Sequence, residues 1–512
     1  MSPHFKAFIA VFVISAMALL FFRAGFAPLL GRKRATHWAI VWLAVTSCVF
    51  LITNYWLFLI ASGVLVIFLV QGEPNRPAIY LLLLCVAPTL GEAIPGFAGI
   101  NKFIEVNPQF VVMAVVLAPV MISAKAMKRL NKTGSNADLL FLLYLLLQLS
   151  LSVRAESFTH MLRTALQDFL MIAPLFYVFS RYPKSFDDIR IMTAALVFPV
   201  LILAATSIPE FIRNWHFYNS VSTNWFGPMP FGYSMREGYL RATASVYNPI
   251  VWGYVSMCAL GLGLAVLNDK IGKLYRYAGF AVLVAGILVS LSRGPWVGTV
   301  AVLGFYILLS PSFMIRAMQA GLVGAVALIG SLATPFGKDI IGLLPFVGGA
   351  DDTISYRQQL LKNTWGVMLE NPLFGSGDFL QSSALQSLRQ GQGIIDIVNT
   401  YLQVGLKSGL VGLALFTGFF ACVMSSLLKA HKAAKDANPL LANYCRAYAA
   451  TLFGILLTIF TTSSEGQIPY LYWSIAALGL ALSRIALQPV PENTNQQETV
   501  SPPADLPAFN WK

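Results

Sequence analysis

Long apolar runs dominate the chain and are separated by short polar or charged segments. The runs are roughly 16 to 22 residues long, which suits helices that cross the hydrocarbon core of a bilayer. They recur from residue 7 to about residue 487, and they lack the alternation of a membrane β-barrel. The pattern predicts an all-α polytopic integral membrane protein with roughly 12 to 15 transmembrane helices.

The composition agrees with this prediction and excludes a water-soluble globule. Hydrophobic residues make up 57% of the chain and charged residues 11%, with a mean hydropathy of +0.68. The net charge of +13 comes from small basic clusters between the apolar runs, so no nucleic-acid partner is expected. These clusters lie at alternate ends of successive runs, which predicts cytoplasmic loops; they are residues 32–34, 125–132, 181–190, 270–276 and 429–446.

Two long polar segments then fall on the opposite, periplasmic face. Both carry aromatic and charged residues, and the second contains an amphipathic helix near residues 355–368 followed by a glycine-rich turn. The predicted parts are N-terminal transmembrane helices (1–208), a first periplasmic loop (209–247), transmembrane helices (248–334), a second periplasmic loop (335–398), C-terminal transmembrane helices (399–487) and a proline-rich disordered tail (488–512).

Arg293 stands between two apolar runs, in the sequence SLSRGPW of residues 290–296. An arginine at the bilayer centre costs about 2.5–3.5 kcal/mol on insertion scales, so a retained one usually has an anionic partner. Because the basic loops are assigned to the cytoplasm, Arg293 falls at the outer end of its transmembrane run. It is therefore a candidate functional residue, with snorkelling to the interface as the alternative.

Four segments near the outer face resemble motifs of the bacterial O-antigen ligase and polymerase family. They are RATASVYNP (241–249), SLSRGPW (290–296), YRQQLLKNTWGVMLENPLFGSGDF (356–379) and VNTYLQVGLKSGLVGL (398–413). The resemblance implies a helical enzyme of the inner membrane that works on the periplasmic face. Such an enzyme moves a glycan from undecaprenyl diphosphate to an acceptor sugar, and the resemblance implies no metal and no cofactor.

The resemblance also implies roles for three arginines. Arg293 matches the arginine of the family's SRG motif, and Arg357 matches that of its periplasmic helix. A departing diphosphate needs fixed cations, and the planar guanidinium group binds phosphate oxygens in a bidentate manner. We expect Arg293 and Arg357 to hold the diphosphate, with Arg241 as a third member. A solvated surface charge is the alternative for Arg357, and a loop charge for Arg241.

The chain departs from the family where the usual histidine would act as general base, because Val398 precedes Asn399. Asp396 is the nearest titratable group, and we expect it to take the acceptor's proton after desolvation at the membrane interface. A helix cap is the alternative role for Asp396. His216 in the first loop is the second candidate base.

Candidate sugar contacts are Trp215, Trp225 and Trp365, whose rings could stack on sugars, and Asn399, which could bind a sugar hydroxyl or cap a helix. Lys407 stands where the family often has an acidic residue, and we expect it to have a packing or surface role.

The function expected from the sequence is a surface-polysaccharide or exopolysaccharide polymerase. Its partners would be an undecaprenyl diphosphate-linked glycan donor, a glycan acceptor and the lipid bilayer. A ligase that uses lipid A core as acceptor is the first alternative. A transporter for lipid-linked oligosaccharides is the second, although a transporter is expected to place ionisable groups at mid-span.

Overall fold

The computed structural model describes residues 2–96, 102–123, 135–227, 234–332, 351–389 and 395–488. The basic cluster 125–132 and the tail from residue 489 lie outside the described residues. The helices are α1 (Pro3–Leu30), α2 (Arg32–Leu51), α3 (Tyr55–Val70), α4 (Pro77–Leu83), α5 (Pro108–Ile122), α6 (Asn136–Leu151), α7 (Phe158–Arg181), α8 (Phe186–Arg213), α9 (Asn219–Phe226), α10 (Pro249–Val266), α11 (Lys273–Val289), α12 (Arg293–Leu308), α13 (Phe313–Leu332), α14 (Asp351–Glu370), α15 (Ser383–Gln386), α16 (Thr400–Ala434), α17 (Pro439–Thr458) and α18 (Ile468–Ala486). Two antiparallel hairpins pair β1 (Glu92–Pro95) with β2 (Lys102–Val106) and β3 (Met235–Arg236) with β4 (Tyr239–Leu240).

Local sequence explains where many helices begin. Ser135 and Ser185 form capping boxes with the aspartates three residues later, at the starts of α6 and α8. In α5, α10 and α17 an asparagine side chain accepts backbone N–H groups, and the following proline occupies the first helical position. The capping asparagines are Asn107, Asn248 and Asn438. Asn248 therefore caps a helix.

The helices confirm the predicted class, an all-α polytopic membrane protein. Among the described residues, nine helices are long and apolar enough to cross a membrane: α1, α2, α6 with its following short turn, α7, α8, α10, α16, α17 and α18. Two shorter apolar helices are α3 and α5. The most enclosed of the nine are α8, α10 and α18. Helix α10 packs against α8, α11, α12 and α17, and so lies at the centre of the bundle.

Charged side chains divide the bundle into two unlike ends. At the end where α10 finishes, Arg190 forms ion pairs with Asp187 and Asp269. Further pairs on this side join Arg34 to Glu73, and Asp138 to both Arg181 and Arg484. At the opposite end, where α10 begins, several arginines lie close to one another. We call these the ion-paired end and the arginine end.

The first predicted loop is partly helical. Helix α8 continues through Pro209 to Arg213, so regular structure ends five residues later than the boundary drawn at 208. Proline is tolerated within membrane helices because neighbouring groups satisfy the freed backbone. The rest of the segment contains α9, the β3–β4 hairpin and a short 3₁₀ turn at Ala244–Val246.

The amphipathic helix predicted in the second loop is present as α14, and it ends at Glu370, directly before Asn371 and Pro372. Leu360 and Thr364 are enclosed, whereas Trp365 is 50% exposed. The enclosed side of α14 packs against α15 and α16.

Candidate functional site at the arginine end

The turn between α11 and α12 places Arg293 as the first residue of α12. Leu291 in this turn has a φ of 45°, which a leucine rarely adopts. Ser292 is buried, and its hydroxyl donates to the carbonyl of Pro249 at the start of α10. The Trp296 indole N–H donates to the Ile287 carbonyl, 2.9 Å away, and ties α12 to α11. These contacts fix the backbone of the turn from which the Arg293 side chain extends.

Four arginines gather around this turn. Arg241 donates through Nη2 to the Ser292 hydroxyl at 2.9 Å, and Arg236 donates through Nη1 to the Leu291 carbonyl. Desolvation lowers the pKa of Arg236 and of Arg357, and the positive charge of Arg293 lowers both further. Desolvation and the charge of Arg236 lower the pKa of Arg241 to about 9. The structure thus brings Arg241, Arg293 and Arg357 together and adds Arg236.

Arg357 lies on α14, which docks on the membrane bundle through the loop of residues 371–377. Ser376 donates its N–H to the Leu406 carbonyl at 2.9 Å, and Leu410 donates its N–H to the Pro372 carbonyl at 2.8 Å. The Leu406 carbonyl and the Leu410 N–H are available for these bonds because α16 is broken at Gly409, which has a φ of 65°. The backbone of residues 371–377 is therefore hydrogen-bonded to the broken part of α16. We call this contact the interlock, and it holds α14 beside the bundle.

Arg154 strengthens this interlock from a third element. Its Nη1 donates to the carbonyls of Phe374 and Gly375, at 3.0 and 2.9 Å. Gly375 is buried and has a φ of 69°. A Cβ atom at Gly375 would lie 2.3 Å from the Leu406 carbonyl oxygen, so only glycine fits there without backbone movement.

The connection between α17 and α18, residues 459–467, completes the arginine end. The Thr461 carbonyl accepts a hydrogen bond from Arg357 Nη2 at 3.4 Å, and the Thr461 hydroxyl lies against Gly294. Ser463 donates its hydroxyl to Asp396 Oδ1 at 2.9 Å. The Asp396 charge also raises the pKa of Arg357, after desolvation and Arg293 have lowered it. Asp396 is therefore an acidic neighbour of the arginine cluster.

A cavity of about 430 Å³ opens beside the cluster. Its wall combines the first loop, the start of α10 and the connection 459–467. Lining residues include Thr89, His216, Thr243, Asn248, Glu465 and Gly466. Ser234, which accepts a hydrogen bond from Arg241 Nη1 at 3.4 Å, also lines it. The cavity and the arginines are consequently parts of one site.

His216 lies in the wall of this cavity and is buried. Burial lowers the pKa of its imidazole to about 4, so the ring is neutral near pH 7. Its Nδ1 lies 3.2 Å from the Thr243 hydroxyl. Beneath it, the Glu210 carboxylate accepts the backbone N–H groups of Phe217, Thr243 and Ala244, which shapes this part of the wall.

The predicted sugar contacts occupy very different surroundings. Trp225 is 9% exposed, stacks on Phe58 and donates its indole N–H to the Ile52 carbonyl. Trp215 is half-buried and meets the Phe217 ring edge-on. The Asn399 side chain accepts the first N–H groups of α16, and Trp365 remains half-exposed on α14. Trp365 is thus the most accessible of the three predicted tryptophans.

Lys407 forms an ion pair with Asp168 of α7, with the nitrogen 2.8 Å from Oδ2. The pair lies next to the break in α16 and joins α16 to α7. This contact agrees with the packing or surface role expected for Lys407.

Two parts of the site were not found from the sequence. Arg236 was one charge among several in the first loop, and only the hairpin β3–β4 turns it toward Leu291. The connection 459–467 contains the run Thr-Thr-Ser-Ser-Glu-Gly at 461–466, which is small and polar between two apolar helices. That contrast is the signal that could have identified it.

The fold and the site together define a multi-pass membrane protein with a cationic site beside a cavity at one end of its helix bundle. Residues 278–417 match the family model described as O-antigen ligase. The match confirms the resemblance to the O-antigen ligase and polymerase family, whose members are glycan ligases or polymerases. The matched segment runs from α11 into α16 and includes Arg293, Arg357 and Asp396. A comparison with curated proteins finds no match.

Proposed function

We propose that the protein is an inner-membrane glycosyltransferase that moves a glycan from undecaprenyl diphosphate to an acceptor sugar on the periplasmic face. We propose further that it acts as a polymerase of a surface polysaccharide or exopolysaccharide. The observation that carries this proposal is the arginine cluster. The charge of Arg293 lowers the pKa of Arg236 and of Arg357, and the charge of Arg236 lowers the pKa of Arg241, so the four guanidinium groups lie near one another beside a cavity.

Like charges are costly to hold together, and an anionic ligand offsets that cost. A polyprenyl diphosphate gathers negative charge as its bond to the sugar breaks. Guanidinium groups fixed in advance would stabilise that charge without rearranging during the reaction. We assign Arg293 and Arg357 as the main diphosphate ligands, with Arg241 and Arg236 supporting them.

The proposed orientation follows from the basic loops. Residues 32–34, 181–190, 270–276 and 429–446 carry an excess of lysine and arginine, and the charge pairs formed by Arg34, Arg181 and Arg190 belong to the ion-paired end. The positive-inside rule favours the cytoplasm for that end and the periplasm for the arginine end. A lipid-linked donor in the outer leaflet would then reach the cluster.

The acceptor distinguishes a polymerase from a ligase. A second lipid-linked repeat unit would make the enzyme a polymerase, and lipid A core would make it a ligase. We favour the polymerase because Val398 stands in place of the histidine usual in the family's ligases. Among predicted sugar contacts, Trp365 is retained as a stacking platform because half of it is exposed.

The test uses the purified full chain in lipid nanodiscs with an undecaprenyl diphosphate-linked repeat unit. Longer lipid-linked products are expected from the wild type, and a strong loss from Arg293→Ala and Arg357→Ala. Arg389→Ala is the matched control, because Arg389 is exposed in the same loop and bonds Gln386. Product only when lipid A core is added would identify a ligase. Absence of product with either acceptor would refute glycan transfer.

A further inference from the structure

Glu465 is a carboxylate that neither the family match nor the sequence motifs single out. It lies in the connection 459–467, and it lines the cavity with His216, Asn248 and Thr243. Glu465 is an exposed residue, although the surrounding protein still excludes part of the water around its carboxyl group. Among the described residues, no lysine or arginine forms an ion pair with it within 4.0 Å. The carboxylate is therefore accessible to a ligand in the cavity.

The backbone around Glu465 is fixed. Its N–H donates to the Ser463 carbonyl at 3.0 Å, and its own carbonyl accepts the N–H of Ile468 in the first turn of α18. Gly466, with a φ of 55°, makes the turn between them. The same short connection contacts Arg357 through the Thr461 carbonyl. Glu465 and the arginine cluster thus share one rigid support.

Titratable groups on several elements lie around the connection that carries Glu465. Asp396, which precedes α16, is near enough for its negative charge to raise the pKa of Glu465, in addition to desolvation, which is the larger cause. Arg357 on α14 contacts the same connection through the Thr461 carbonyl, and Gly294, the neighbour of Arg293 in α12, lies against Thr461. His216 faces the cavity from the first loop and is neutral near pH 7.

We propose that Glu465 is the general base that takes the proton from the acceptor sugar hydroxyl. This inference rests on the glycan transfer proposed above and names the group that replaces the family's missing histidine. The hydroxyl oxygen forms a bond to the anomeric carbon of the donor sugar, and the bond from that carbon to the phosphate oxygen breaks. Its electron pair leaves with the diphosphate, which the arginines bind, and the hydroxyl proton ends on the Glu465 carboxylate.

Glu465 suits this role better than the two bases expected from the sequence. Asp396 already accepts a hydrogen bond from Ser463 and offsets part of the positive charge around Arg357, so we assign it to electrostatic support. His216 is buried in the wall, and its Nδ1 faces Thr243. Glu465 combines an accessible carboxylate with a place in the cavity wall, on the connection that also contacts Arg357. A carboxylate with a raised pKa is also a more effective base.

The test compares wild type, Glu465→Gln, Asp396→Asn and His216→Asn in the nanodisc assay, with donor binding measured separately. Glu465→Gln should bind the lipid-linked donor normally and lose about 100-fold or more in the single-turnover rate, the usual contribution of a general base. Glu465→Asp should keep part of the activity. Activity of the wild type should fall as pH drops through the raised pKa of Glu465, and this acid limb should be absent from the residual activity of Glu465→Gln.

The outcomes separate the two proposals. A wild type that makes no product refutes glycan transfer itself. An active wild type accompanied by an active Glu465→Gln variant, within threefold in the single-turnover rate, overturns the role of Glu465 alone. Retention of the same acid limb in Glu465→Gln would also overturn it and would direct attention to Asp396 or His216.

Discussion

Replacement of Gly375 by alanine should undock α14 from the bundle. The new Cβ would lie 2.3 Å from the Leu406 carbonyl oxygen and 2.8 Å from the Gly409 nitrogen, and both are backbone atoms that no rotamer change can move. The left-handed backbone adds about 1–2 kcal/mol for a residue with a Cβ. Loss of the Ser376 and Leu410 hydrogen bonds adds about 1 kcal/mol each. The docked state should therefore weaken by about 3–4 kcal/mol, the sum of these costs.

Gly366 provides the matched control, because it lies within α14 and a Cβ there would meet nothing within 4 Å. Gly366→Ala should be neutral or slightly stabilising, since alanine favours helices. Hydrogen exchange in nanodiscs should show faster exchange at Ser376 and Leu410 in Gly375→Ala alone. Glycan extension should also fall in Gly375→Ala, because α14 carries Arg357. Equal exchange and equal activity in both variants would refute the interlock as the support of Arg357.

Three further predictions concern single side chains. Arg293→Ala should lower the single-turnover rate of glycan extension about 100- to 1000-fold, as loss of one oxyanion donor does. A loss below tenfold would contradict the role of Arg293. Trp225→Ala should lower the free energy of unfolding by about 3–5 kcal/mol because the ring is packed in the core. Trp365→Ala should instead raise KM and leave the thermal midpoint nearly unchanged. A stability loss in Trp365→Ala, with a raised KM in Trp225→Ala, would contradict both assignments. Lys407→Met and Asp168→Asn should each cost about 0.2–1 kcal/mol by thermal unfolding, as exposed ion pairs do, and a tenfold loss of activity would contradict a structural role.

The helical class could be predicted because membrane helices depend on local apolar runs. The start of α10 at Asn248 and Pro249, and the end of α14 at Glu370, also follow from local capping and proline rules. The end of α8 did not follow, because Pro209 continues a helix when tertiary packing supports it. Local rules therefore locate most elements and fail where packing overrides them.

The candidate site was only partly predictable for a related reason. Arg293 and Arg357 could be selected because both carry charge beside apolar runs in recognisable motifs. Arg236 and Glu465 reach the same place from distant parts of the chain, through a two-residue hairpin and a short connection. Trp225 was expected to contact sugar but packs on Phe58, since nothing in sequence distinguishes an aromatic ring on a loop from one that folds back into the core.

The crowding of four guanidinium groups has a consequence for turnover. In the transfer proposed above, free undecaprenyl diphosphate would carry more negative charge than the glycosylated donor, so the cluster should bind the spent carrier more tightly than the donor. Release of that carrier would then limit the steady-state rate, and added undecaprenyl diphosphate should inhibit competitively. Higher ionic strength should relieve this inhibition, since screening weakens the attraction.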